Sequence, residues 1–457
     1  MRLQRRISHA LGDRRGNVAV TLALILPVLL TVVGGAVDFT FAIAARTSLQ
    51  DAADAASVGA IATSSTAYRV ASAMIVDGAV PAGVADATAI FNADTAALAG
   101  ANNIQMTSTV MKSGQTITST VTASAAYKPA LLGLIGISTM PFSVTSTSVN
   151  STPRYVDFYL LLDVSGSMGL PSTNGGETTL AAVNPDNRNL YPGGCVFACH
   201  FAGYQGYTLS RGATQVKSCP TPDTPTCIQL RLDAVGSAVN QLIQTANSSQ
   251  KVANQYRIGL YPFIANLYPY FPLTAAISGS ASTPLTINYA AANLATVLDT
   301  GADPVMGSGG THFENALPQM SAAIPGGATV GTGASPTSTQ PFVFFVTDGS
   351  QNNQLQAGGA WWGSNSATTL DASLCTPLKT RGIKIAVLYI PYQPIQNPTT
   401  FANSEDFYAN ANIPNIPAKL QACATPGFYF SANTPQDITN AMTAMFQQAV
   451  NYDRIAH

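Results

Sequence analysis

Residues 155–168 read YVDFYLLLDVSGSM, a nearly unbroken apolar run that ends on a carboxylate and opens into a Ser/Gly turn. A run of this kind, without polar alternation, is expected of a strand buried on both faces. Similar runs recur at 256–263 (YRIGLYPF), 341–348 (PFVFFVTD) and 383–390 (IKIAVLYI), with a short FYFSA at 428–432. Between them lie segments of helical composition at 228–247, 313–323, 367–381, 404–422 and 434–450. Strands alternating with helices imply an α/β domain built on a doubly wound parallel sheet, here over 154–450. Ligands of such sheets bind beyond the carboxyl ends of the strands.

Two carboxylates stand at those ends. Asp163 closes the first strand and opens Asp163-Val164-Ser165-Gly166-Ser167; Asp348 closes another, just before Gly349. A third loop, Gly309-Gly310-Thr311-His312, leads straight into a helical segment and brings another hydroxyl. Alternation lets Asp163, Ser165 and Ser167 point inward on one turn, while Gly166 permits the tight bend. Carboxylates and hydroxyls are hard oxygen donors, suited to Mg²⁺, Mn²⁺ or Ca²⁺.

The three pieces DVSGSM, GGT and TDG, in this order, resemble the metal-ion-dependent adhesion site of a von Willebrand factor A domain. The resemblance implies a divalent cation, Mg²⁺ foremost, with Ser165, Ser167 and Thr311 offering hydroxyls. Asp163 and Asp348 would act directly or through water, and one coordination position would stay open for a carboxylate of a protein partner. A domain that keeps the turn chemistry without the metal is the competing reading. His312, beside Thr311, and Trp361 and Trp362, in the Gly-rich loop after Asp348, are candidate partner contacts. The alternatives are that the histidine shapes the site or faces solvent, and that the tryptophans cover the base of their own loop.

The amino terminus is of a different kind. Residues 1–15 hold five arginines against one aspartate, and residues 16–37 (GNVAVTLALILPVLLTVVGGAV) carry no formal charge. As a helix this run reaches about 33 Å, enough for a hydrocarbon core of ~30 Å. It is too long for the core of a cleaved secretory signal. The flanking arginines place 1–15 in the cytoplasm and the rest outside. Residues 38–67, rich in alanine and free of proline, are expected to extend the helix as a stalk; the alternative is an amphipathic helix packed on the next domain. Residues 68–150 read as a small α+β module: helix and loops to 100, then two alternating runs around Ser113-Gly114-Gln115, then a third strand in FSVTSTSVN.

The stretch RRGNVAVTLALILPVLLTVVGGAVDF…AARTSLQDAADAA is similar to the TadE/TadG-like anchor of Flp (tight adherence) pilus assembly proteins. TadG-like members join that anchor to an A domain. The resemblance implies a bacterial inner-membrane protein with a single span, its carboxy-terminal domain periplasmic or surface-exposed. Its partners would be pilus assembly components or a surface ligand, and its role non-enzymatic; a purely structural scaffold of the pilus machinery is the alternative. Related small pilins carry a glutamate five residues after a processing glycine. Counted from Gly16 that position is Thr21, so an uncleaved anchor is expected.

All six cysteines lie on the outer side of the expected membrane: Cys195, Cys199, Cys219, Cys227, Cys375 and Cys423. An even number there fits disulfides in an oxidising compartment. Cys375 and Cys423 fall in two helical segments flanking one strand and are the favoured pair. The other four lie in an insert over 169–227, either a rim that selects the ligand or a stapled surface loop. Cys195–Cys199 followed by His200 has three intervening residues where a haem attachment motif has two, and disulfides are preferred over zinc in this insert. There is no HExxH, GxSxG or P-loop motif, and no acid–base pair is legible. A net charge of −1 with 9% charged residues argues against a nucleic-acid partner. With 46% hydrophobic residues, global disorder is excluded.

Overall fold

The computed structural model describes residues 15–183, 192–193, 196, 208–209, 216–218, 227–299, 303–353, 355–357, 360–362, 366–394 and 405–452. The chain divides into two units, Met1–Thr152 and Pro153–His457.

In the first unit one helix, α1 (Arg15–Ala60), runs for 46 residues, about 69 Å. Pro27 lies inside it without ending it. From Val20 to Val37 its large apolar side chains are exposed. Farther along it buries Ala42, Ala45, Leu49, Ala52, Ala53, Ala56 and Ala60, a stripe at spacings of three and four that lies along one face. Beyond it come α2 (Thr66–Ala73), started by Ser65 accepting the Tyr68 N–H at 3.0 Å, and α3 (Pro81–Thr95), with proline in its first turn. Strands β1 (Gly78–Ala79), β2 (Ala101–Ser113), β3 (Thr116–Tyr127) and β4 (Met140–Ser151) form an antiparallel sheet in that order. The β2–β3 turn uses Gly114 at φ +58°, which suits glycine.

Leu49 and the part of the stripe from Ala52 to Ala60 share a core with Phe91, Val110, Ile117, Val121 and Val144. Residues 38–67 are therefore not a free stalk. The helix ends at Ala60, and its carboxy-terminal half is the central element of the module, because alanine lets a helix lie close to its neighbours. Asp38 joins the same unit: its carboxylate accepts the backbone N–H groups of Ala130, Leu131 and Leu132 at 3.0, 2.8 and 2.7 Å.

The second unit is built on six strands: β5 (Val156–Asp163), β6 (Tyr256–Phe263), β7 (Phe271–Thr274), β8 (Gln340–Thr347), β9 (Lys384–Tyr389) and β10 (Tyr429–Ser431). Their order across the sheet is β7-β6-β5-β8-β9-β10, all parallel except the edge strand β7. Counted from β5, this is the doubly wound order whose connections leave in opposite directions from the two central strands, β5 and β8. Alternate residues serve the two faces. Phe158, Leu160, Leu162, Phe342, Phe344 and Val346 face a core with α4 (Arg231–Ser249) and α7 (Pro435–Val450). Tyr159, Leu161, Val343 and Phe345 face the core of α5 (Phe313–Ala323) and α6 (Ile416–Cys423). Phe158 anchors the first of these, its ring 5.2 Å from Phe344 and 5.3 Å from Phe446.

Two helical expectations are revised. Residues 367–381 do not form one helix: Thr368–Thr369 pairs with Ser350–Gln351, Asp371 caps a 3₁₀ turn at Ala372–Cys375, and a short helix follows at Thr376–Thr380. The helical segment expected over 404–422 breaks at Ile413–Asn415 into two, with prolines at 414 and 417 starting new turns. Cys375 and Cys423, the favoured pair, form a disulfide across these elements with Cα atoms 5.4 Å apart. Cys195, Cys199 and Cys219 lie outside the described residues. The backbone of Cys227 belongs to a two-residue strand parallel to Val216–Ser218.

Candidate metal centre

Parallel pairing of β5 with β8 sets Leu162 opposite Val346. Asp163 thus sits beside Thr347, and Asp348 is the first residue beyond the strand end. Both carboxylates lie where the two central strands send their loops apart, and both are buried.

The turn after β5 folds back on Asp163. Its Oδ1 accepts the Ser165 backbone N–H at 3.0 Å and the Ser165 hydroxyl at 2.6 Å. Oδ2 accepts the hydroxyl of Thr347 at 2.7 Å. A 3₁₀ turn, Gly166–Gly169, then brings Ser167 Oγ within 3.4 Å of Ser165 Oγ, on the side from which its hydroxyl favours the charge of Asp348. From the third loop Thr311 Oγ1 donates to Ser165 Oγ at 2.8 Å. All five residues read from the sequence therefore converge.

Several residues hold this arrangement that sequence reasoning missed. Thr311 is fixed by two backbone bonds with Asn352, 3.1 and 3.2 Å long. Asp299, buried, accepts the Ser308 hydroxyl and the Gly309 N–H, each at 2.8 Å, and so shapes the loop before Thr311. Arg231, at the start of α4, is also buried and places Nη1 3.9 Å from Asp348 Oδ2. None of these carries a local signal: each matters only through the fold's long-range approach.

The electrostatics are those of crowded acid. Burial and the neighbouring charge of Asp348 push the Asp163 carboxyl up to about 7, against hydrogen bonds from Ser165 and Thr347 that favour its charge. Burial raises Asp348 as well, opposed by Arg231 and the Ser167 hydroxyl. Burial lowers Arg231, opposed by Asp348 and Glu177.

Among the described residues no three His, Cys, Asp or Glu side chains gather as a metal cluster, so the donor set is two carboxylates and three hydroxyls. This set fits a hard divalent cation. Asp348 Oδ2 is buried without a hydrogen-bond partner, and such an atom costs free energy unless something compensates it.

His312 is placed to shape the site rather than to meet a partner. It is 3% exposed, its backbone N–H donates to Ile264 O, and its ring Nδ1 lies 2.6 Å from Glu314 Oε1. A ring so enclosed offers no surface to a partner; it positions the start of α5. The Glu314 carboxyl is held low although burial, the largest single effect, opposes its charge: the bond and the proximity of His312, with a backbone N–H bond, together outweigh it. Trp361 and Trp362 lie in a short strand, Ala360–Trp362, that pairs antiparallel with Leu355–Ala357; their side chains are outside the described residues.

Comparison with known proteins adds the following. Residues 16–57 match the family model of TadE-like proteins. No curated protein matches the chain. Among solved structures, the pilus adhesin SpaC from Lactobacillus rhamnosus GG in its open conformation is 13% identical, covering 77% of this chain and 34% of its own, with a TM-score of 0.35. This chain thus spans about a third of SpaC's length. The PilB minor pilin from Streptococcus sanguinis is 9% identical over 77% of this chain and 79% of its own, at 0.34. The vWF domain of the type V pili tip protein Mfa5 from Porphyromonas gingivalis is 11% identical over 67% and 97%, at 0.33. The fold assignment rests on the strand order rather than on these low scores.

Proposed function

We propose that this chain is a membrane-anchored pilus assembly or adhesion protein whose second unit binds a partner's carboxylate through a divalent cation. Asp163, Ser165, Ser167, Thr311 and Asp348 would hold the cation, Mg²⁺ before Mn²⁺ or Ca²⁺. The cation supplies a hard positive centre to which an Asp or Glu of another protein adds as the last ligand. This is binding, with no bond made or broken. The observation that carries the proposal is the convergence of three hydroxyls and two buried carboxylates from three loops, with Oδ2 of Asp348 left without a hydrogen bond. The anchor is supported by α1, long and apolar enough to cross a membrane, and by the TadE-like match over its length. The arginines before it favour a cytoplasmic amino terminus in the bacterial inner membrane.

Mn²⁺ binding to the full chain in detergent, followed by electron spin resonance, tests the site. One ion per chain, displaced by Mg²⁺ and lost in Asp163→Ala and Asp348→Ala, is the expected result; binding that persists in both variants overturns the site. In cells, Asp163→Ala should then abolish adhesion or piliation at unchanged protein level.

One observation favours a second reading, a structural scaffold. Arg231 lies close enough to Asp348 to balance its charge without metal. On that reading Asp163→Ala alters stability and leaves piliation intact.

A further inference from the structure

The loop between β3 and β4, residues 128–139 (KPALLGLIGIST), carries apolar side chains that its own unit leaves open. Leu131 is 44% exposed, Leu134 82%, Ile135 55% and Ile137 41%. The 3₁₀ turn Leu132–Ile135 at its centre buries none of its residues. Yet the loop is firmly held against α1. Asp38 accepts three consecutive backbone N–H groups from it. Gly34 and Gly35 make room for it: a Cβ at Gly34 would fall 2.8 Å from Leu131 Cβ, and one at Gly35 3.2 Å from Leu132 Cδ2.

The place where it is held decides what covers it. Gly34 and Gly35 belong to the exposed apolar length of α1, with Val32, Val33 and Val37 open beside them and Phe39, Phe41 and Ile43 open beyond. Between Gly16 and Ala45 the only formal charge is Asp38, which is 1% exposed and satisfied by the loop's own N–H groups. The uncompensated apolar surface of the helix thus continues past Val37. Thirty residues of helix measure about 45 Å, the thickness of a bilayer with its headgroup regions. Exposed Lys128 stands at the root of the loop, the residue type that keeps its charge at the interface while its stem lies along apolar surface.

We propose that residues 130–137 form a second membrane contact, a loop that enters the boundary between headgroups and acyl chains beside α1 and takes lipid chains as its ligand. The proposal rests on α1 as a membrane span, and the test separates the two. In the full chain with Trp361→Phe and Trp362→Phe, single tryptophans are introduced as Leu24→Trp in the span, Leu134→Trp or Ile135→Trp in the loop, and Thr116→Trp at the other end of β3. The proteins are reconstituted in phosphatidylethanolamine/phosphatidylglycerol vesicles with brominated acyl chains. Fluorescence at 24, 134 and 135 should fall at least about twofold relative to unbrominated lipid, that at 116 should not, and Asp38→Ala should weaken quenching in the loop alone. Quenching at 24 without quenching at 134 and 135 overturns the loop and leaves the span. No quenching at 24 overturns both. Protection of the loop from aqueous acrylamide with no response to brominated lipid means that a second copy of the chain covers it, and the proposal fails.

Discussion

At the scale of single residues, Asp163 and Arg231 carry the sharpest consequences. The Asp163 carboxyl is raised to about 7, so without a cation the folded chain holds this proton more tightly than the unfolded one. Its contribution to stability is then complete below the ordinary value of 3.8 and lost as pH rises through about 7. A divalent cation must displace the same proton, so its affinity should climb over that range and level off above it. Stabilisation by one fixed Mg²⁺ concentration, read as a rise in Tm, is therefore expected to be small at about pH 5.5 and full at about pH 8, where a concentration a hundred times Kd contributes roughly 2.7 kcal/mol. An increase of equal size at both would count against a carboxylate ligand raised by burial. Arg231→Met tests the neighbouring charge. Removing a cation 3.9 Å from Asp348 should tighten Mn²⁺ binding at least several-fold if the site holds metal. If Arg231 instead stands in for the metal, the variant leaves a buried carboxylate alone and loses about 3–5 kcal/mol, with no gain in Mn²⁺ affinity.

At the scale of elements, Gly349 ties the Asp348 turn to α6. Its φ is +78°, and a Cβ there would run into Ile416 and Leu420. Gly349→Ala should cost about 1–3 kcal/mol and weaken Mn²⁺ binding, since the turn it displaces carries Asp348. Urea unfolding and ion titration of one sample separate these effects. The Cys375–Cys423 disulfide closes a separation of 48 residues around β9, and replacing both by serine should cost about 2–4 kcal/mol, read as a lower urea midpoint. These elements also show what the sequence made legible. β5, β6, β8 and β9 could be read because strands buried on both faces leave continuous apolar runs, and Phe313–Ala323 because glycine-rich stretches bound it. The four-residue β7 is too short to leave such a signal. Residues 367–381 have helical composition, but Asp371 caps a turn and Thr368–Thr369 finds a strand partner that composition does not reveal. The five site residues were legible because they lie in three compact motifs. Arg231 and Asp299 were not, because only the folded sheet brings them near.

At the scale of the whole chain, each unit has its own core, one around Leu49, Phe91 and Val121 and the other on the two faces of the parallel sheet. Calorimetry of the full chain in detergent should resolve two transitions, with Mg²⁺ raising only the one that Asp163→Ala also moves. A shift of both together would show that the units unfold as one. The long apolar helix was legible from its composition, whereas its alanine stripe does not reveal by composition that its carboxy-terminal half is core. The bond between Asp38 and residues 130–132 adds an order in time. These partners are 92–94 residues apart in sequence. At about 5–20 residues per second, synthesis delivers the loop roughly 5–20 s after the aspartate. On the proposed membrane contact, the anchor would enter the bilayer before Asp38 has these partners, and the loop would fix its depth only once the second hairpin has been made; a chain truncated before residue 130 should then insert yet fail to hold one position.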